Sequence, residues 1–191
     1  MKKITVVLVL VFFLLASLMV LGGCSKAKSS SPKVDTKANL EAALKKHGLT
    51  LPPGYTYSGG AYYPIKEFGN NLAYFSGMLP TVDGKTFWTG RIGKELTIEE
   101  GQNAARACAL NIVADMIDYY GSLDKINLVK TTVYVVPAED FHEMSQISNA
   151  ASQFFIDILG EERGKGTRST VGVYSLVKNN PVEVEVLVEL K

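Results

Sequence analysis

Val182-Glu183-Val184-Glu185-Val186-Leu187-Val188-Glu189-Leu190 sets apolar and charged side chains in near-strict alternation. Period two is the mark of a strand whose side chains point by turns to its two faces. The valines and Leu190 therefore face a core, while Glu183, Glu185 and Glu189 face water or a partner. A strand that is apolar on one side only calls for helices, or a second sheet, over that side alone.

Working back from it, Arg168 to Val173 reads as another strand. Before that, Phe141, Met144, Ile147, Ala151, Phe154 and Ile158 recur at helical spacing up to Gly160, predicting a long amphipathic helix. Leu128 to Val136 is rich in β-branched residues and stops at Pro137, as a buried strand does. Thr97 and Glu100 form a capping box ahead of a second apolar helical stripe, Ala105, Cys108, Ile112, Met116 and Tyr119, closed by Gly121. Leu72 to Ser76 predicts a short strand ended by Gly77, and Thr86 to Thr89 another, with a hairpin near Asp83-Gly84. Gly54 to Gly69 reads as a loop with one strand. A short helix is expected over Lys37 to His47, capped by Asp35 or Thr36 and closed by Gly48, with His47 favoured by the helix dipole. Strands alternating with two long helices indicate an α+β fold, a sheet with helices on one face.

Composition narrows the chemistry. Twenty Lys and Arg stand against 19 Asp and Glu, scattered along the chain, whereas a nucleic-acid footprint needs a clustered basic face. Two histidines, His47 and His142, and two cysteines cannot build a metal cluster from those ligands. Cys108, among Ala105, Ala109 and Ile112, reads as a small core residue. No metal or other cofactor is expected.

The N-terminus has another purpose. Lys2 and Lys3 precede a run without charges from Ile4 to Leu21, the layout of a secretory signal. Leu21-Gly22-Gly23-Cys24 resembles the lipobox of bacterial lipoproteins, in which the cysteine is acylated and becomes the new N-terminus. The expected organisation is a signal over 1–23, a flexible, polar tether over 24–36 and one domain over 37–191. Lipid on Cys24 would hold that domain at the extracytoplasmic face of a membrane.

Several stretches together resemble the RidA/YjgF family. They are Asn71-Leu72-Ala73-Tyr74-Phe75-Ser76-Gly77 with Pro80, Gly101-Gln102-Asn103-Ala104-Ala105-Arg106, and Val129-Lys130-Thr131-Thr132-Val133-Tyr134-Val135. Asn149-Ala150-Ala151 follows, then Arg168-Ser169-Thr170-Val171-Gly172-Val173 with Val182-Glu183-Val184-Glu185. The resemblance runs from about Tyr62 to the C-terminus and implies a chorismate-mutase-like sandwich, a mixed sheet with two long helices on one face. It further implies a homotrimer whose sheets form a central barrel with ligand clefts between subunits. Met78 departs from the glutamine the family often has there, and Thr170 from its usual Cys or Ala.

By the same resemblance, Arg168 binds a substrate carboxylate, for which its planar fork of donors is suited. Glu183 positions a water. Thr170 through its amide, Tyr62 with Tyr63 as its alternative, Asn149 and Ser76 complete the expected site. The implied reaction is hydrolysis of 2-imino or enamine acids to 2-oxo acids and ammonia. An ordinary glutamate, ionised at neutral pH, suffices to orient the water. Two other readings stand beside it. Arg168 and Glu183 could form a cross-strand ion pair across a hairpin without chemistry, or the same cleft could capture a small carboxylate on a surface lipoprotein without turning it over.

Overall fold

The computed structural model describes residues 34–54 and 61–191. The signal, Cys24, most of the tether and part of the Gly54 to Gly69 loop lie outside the described residues. Element order is α1 (Thr36–His47), β1 (Ile65–Phe68), β2 (Leu72–Met78), β3 (Thr81–Val82), β4 (Lys85–Thr86), α2 (Ile98–Tyr120), β5 (Ile126–Val135), α3 (Met144–Leu159), α4 (Glu161–Gly164), β6 (Thr167–Gly172) and β7 (Val182–Leu190).

The main sheet runs β1-β2-β7-β5-β6. Strand β7 pairs antiparallel with both β2 and β5, and β6 pairs parallel with β5. Two crossovers therefore exist, β2 to β5 through α2 and β5 to β6 through α3, with the last strand inserted between the first crossover's two strands. Both helices pack on the face that carries Val182, Val184, Val186 and Val188, all buried. The result is a mixed α+β fold with helices on one face of the sheet.

Local chemistry fixes the ends of these elements. The Asp35 side chain accepts the Ala38 amide at the start of α1, and Gly48, with φ of 62°, ends it. The capping box of α2 is complete: the Glu100 amide donates to Thr97 Oγ1 at 3.2 Å, and the Thr97 amide to Glu100 Oε2 at 2.8 Å. At the Asp83-Gly84 turn both residues have positive φ, 51° and 72°, as a two-residue hairpin turn demands. It joins β3 to β4, so the hairpin strand is Lys85–Thr86 rather than Thr86 to Thr89. Phe141 seals the core from the loop before α3 instead of from the helix itself.

Cys108 is fully buried, and burial pushes its thiol well above the usual range, which fits a core role. His47 ends α1 as expected, but its imidazole is held below the usual value, by burial first and then by the Arg106 and Lys46 charges. The nearby cations and desolvation outweigh the helix dipole there. Phe154, Phe155, Ile158 and Leu159 of α3 are buried to within 1%. Each side chain of that size contributes about 1.5–3 kcal/mol on leaving water.

Candidate functional site

Strand β6 lies at one edge of the sheet, and α3 runs above it. Arg168 pairs in register with Thr131, which itself pairs with buried Val186, so its side chain rises on the helix side. There Arg168 Nη1 donates to Asn149 Oδ1 at 2.8 Å and to Ser152 Oγ at 3.1 Å. Asn149 and Ser152 are three residues apart on α3 and share a face. One nitrogen of the guanidinium is thus fixed by the protein, and Arg168 is exposed at the edge with its other donors.

Two residues along, Thr170 is pinned to the same helix. Its Oγ1 is 2.7 Å from Ser148 Oγ, and Ser148 is fully buried. Since Ser148 has a single proton and the Met144 and Ser145 carbonyls are both in reach, Thr170 is the natural donor of that bond. Arg168, Thr170 and Asn149 are therefore gathered in one place.

Glu183 is elsewhere. It pairs with Tyr134 on the open face of the sheet, beside Glu185, whose Oε1 accepts the Tyr134 hydroxyl at 3.2 Å. Burial, and then the charge of Glu185, raise the Glu183 carboxyl above the usual carboxylate range. This corrects the reading of an untuned glutamate. On the facing strand, the register of β2 against β7 slips between Phe75 and Met78, leaving Ser76 and Gly77 in a bulge. A Cβ at Gly77 would overlap the Glu183 carboxylate. Strand β2 hence bends at Gly77 and continues to Met78 instead of ending, and Ser76 is a bulge residue.

Tyr62 is exposed just ahead of β1, and two residues on the Pro64 carbonyl accepts the Ser76 amide at 2.9 Å, which sets the start of β1 beside the bulge. The neighbouring Tyr63 ring carries the Lys66 ammonium 4.9 Å from its centre.

Arg168 and Glu183 are not on a hairpin. Strand β5 lies between β6 and β7, and the two side chains leave opposite faces of the sheet. Strand spacing and a three-residue offset put their Cα atoms about 14 Å apart. That rules out the cross-strand ion pair and any shared ligand within one chain. The candidate residues fall into two half-sites, Arg168, Thr170 and Asn149 at the β6 edge, and Glu183 against the Ser76-Gly77 bulge, while Tyr62 precedes β1. Ser152, Ser148 and Gly77 were not visible as site residues in the sequence. The i, i+3 spacing of Asn149 and Ser152 was the one available signal.

The model of the family described as endoribonuclease L-PSP matches residues 57–190. Protein TCP17 of Trypanosoma cruzi is 43% identical over 158 residues, which cover 82% of this chain and 98% of that protein. Among solved structures, a protein of unknown function from Agrobacterium tumefaciens, Atu1372, superposes with a TM-score of 0.72 at 35% identity, over 82% of this chain and 95% of that one. YyfA of Yersinia pestis, described as a protein of unknown function of the conserved Rid family, superposes with a TM-score of 0.50 at 25% identity, over 70% and 90% of the two chains. With this fold, and a family match over most of its length, the chain belongs to the endoribonuclease L-PSP family, the YjgF/RidA group.

Proposed function

We propose that the protein is a RidA-like deaminase that hydrolyses 2-imino acids and their enamine tautomers to 2-oxo acids and ammonia, in clefts completed by a second copy of the chain. The observation that carries the reading is the held guanidinium: Asn149 and Ser152 orient Arg168 at an open sheet edge, as a carboxylate-binding fork requires. The other half is Glu183, which accepts no hydrogen bond among the described residues. With Arg168 holding the substrate carboxylate, the Glu183 carboxylate takes a proton from water as the water oxygen bonds to the imine carbon. Both water protons pass through that carboxylate to the nitrogen, the first as the carbinolamine forms and the second from its hydroxyl as C=O forms and the C–N bond breaks, so one imine and one water give one 2-oxo acid and one ammonia. A raised carboxyl is a better base than an ordinary one.

Assembly as a homotrimer supplies what one chain lacks. Both edges, β1 and β6, are unpaired among the described residues, and the open face exposes Tyr74 and Val171 at 40% each beside the glutamates. Strand edges and apolar surface of this kind favour pairing with another chain. The Leu21-Gly22-Gly23-Cys24 sequence supports anchoring by lipid at Cys24 on the extracytoplasmic side; an unmodified Cys24 thiol in native membranes, read by mass spectrometry, would contradict that.

The separation of Arg168 from Glu183 favours a second reading, capture of a small carboxylate at the Arg168 half-site without turnover. An imine-hydrolysis assay on the full chain, with the imine generated in situ by an amino-acid oxidase, decides between them. Acceleration that vanishes in Arg168→Ala supports the deaminase. Binding of a 2-oxo acid without acceleration leaves the capture reading, and the absence of both acceleration and binding defeats both readings.

A further inference from the structure

A cleft with a volume of about 770 Å³ opens at the end of β6 opposite Arg168, lined by none of the residues of either half-site. Arg91, Lys94, Glu139 and Tyr174 are its charged and aromatic lining. Its size lies within the range of small-molecule sites.

The cleft is built rather than incidental. Arg91 Nη1 donates to the Pro137 carbonyl and Nη2 to the Tyr174 carbonyl, each at 3.0 Å, which clamps the start of the β6–β7 connection to the exit of β5. Its guanidinium carbon lies 5.1 Å from the centre of the Tyr174 ring. The Gly90 amide grips the same connection further on, at the Asn179 carbonyl, 3.0 Å away. Of its five donors Arg91 has spent two on these bonds. Tyr174 is nonetheless 84% exposed, far more than a ring with a purely internal purpose.

The charges in this cleft are not matched to one another. Lys94 reaches only its neighbour Glu95, at 3.4 Å, with both groups largely in water. No ion pair joins Glu139 to Arg91 or Lys94 among the described residues. Cations and an acid therefore line one hollow without closing on each other, and the exposed Tyr174 ring lines the same hollow.

We infer that this cleft binds a zwitterion with an apolar body, an α-amino acid of the aromatic or large aliphatic kind. Its carboxylate meets Arg91 and Lys94, its ammonium meets Glu139, and its side chain lies on Tyr174. A simple carboxylate would leave Glu139 facing it, and a simple amine would leave the two cations. The site is independent of the deaminase reading, since none of its residues belongs to either half-site.

The test is titration of the purified full chain with L-phenylalanine, followed through the Tyr174 ring signals in NMR of tyrosine-labelled protein. Alongside it run 3-phenylpropanoate, which lacks the ammonium, and phenethylamine, which lacks the carboxylate. Saturable binding of L-phenylalanine, tighter than either analogue, is expected. Glu139→Gln should weaken L-phenylalanine about fivefold, as the loss of one exposed ion pair does, and leave 3-phenylpropanoate unweakened. Lys94→Gln should weaken both carboxylates. Arg168→Ala should leave the response of the Tyr174 ring signals unchanged, whatever carboxylate is lost at Arg168, which separates this site from the first. No saturation up to about 20 mM, equal affinity in Glu139→Gln, or loss of binding in Arg168→Ala would each overturn the assignment.

Discussion

Gly77 lies against the Glu183 carboxylate so closely that a methyl group at position 77 would occupy the space of its oxygen. The bulge in β2 and the glutamate of β7 are thus one unit: the strand gives up a side chain so that the carboxylate can lie over its backbone. Gly77→Ala must push Glu183 aside. The expected result is an overpacking loss of about 1–3 kcal/mol in urea unfolding, together with a fall in imine hydrolysis comparable to that of Glu183→Gln. Unchanged turnover in a folded Gly77→Ala protein would separate Glu183 from the chemistry.

Glu183 itself has a pH signature. Its folded pKa is raised, by burial and then by Glu185. A raised group contributes stability that is present below its unfolded value, about 4.3, and is lost as pH rises through the folded value. At pH 7 the ionised carboxylate is therefore a burden, and Glu183→Gln should raise the melting temperature by about 1–2 °C, a modest gain for a half-exposed group. At pH 4 the two proteins should melt together. Turnover by the natural chain should fall as pH drops through that raised value.

Arg168 makes a different demand. Its Nη1 is committed to Asn149 and Ser152, so the ligand meets a guanidinium whose orientation is fixed. Lysine at 168 keeps the charge but loses the fork, and 2-oxo acid affinity should drop about tenfold. Asn149→Ala and Ser152→Ala should each weaken binding less, with little change in melting. Calorimetric titration checks all three.

The capping box gives a control that should touch stability alone. Thr97→Ala removes the acceptor of the Glu100 amide, at a loss of about 1 kcal/mol. The melting temperature should fall by about 2–4 °C while carboxylate affinity stays the same.

What was legible in the sequence were features with local causes. The alternation of Val182 to Leu190, the Thr97 and Glu100 pair, the glycine stop at Gly121 and the Asp83-Gly84 turn each act within a few residues, and the structure has them all. The relation between Arg168 and Glu183 was not legible. Two strands separated by a short connection suggest a hairpin, but β6 pairs parallel with β5, so the connection crosses the end of β5 to reach β7 on its other side. That placement goes with α3 lying over β6, where Ser148, Asn149 and Ser152 meet Thr170 and Arg168, contacts between residues distant in sequence that leave no local signature. The family resemblance named Asn149 as a site residue but not its bond to Arg168; the slip of β2 that puts Gly77 under Glu183 depends on pairing with β7 and could not be read from β2 alone.

The central claim is that one chain supplies Arg168 and another supplies Glu183. Subunit complementation tests it most directly: Arg168→Ala and Glu183→Ala chains are unfolded, mixed in equal amounts and refolded together. Each variant alone should be inactive. In the mixture, half of the clefts draw their arginine from a chain that has it and, independently, half draw their glutamate likewise, so about a quarter of the wild-type imine hydrolysis should return. A mixture no more active than either variant alone, while refolded wild type regains its activity, would contradict the account.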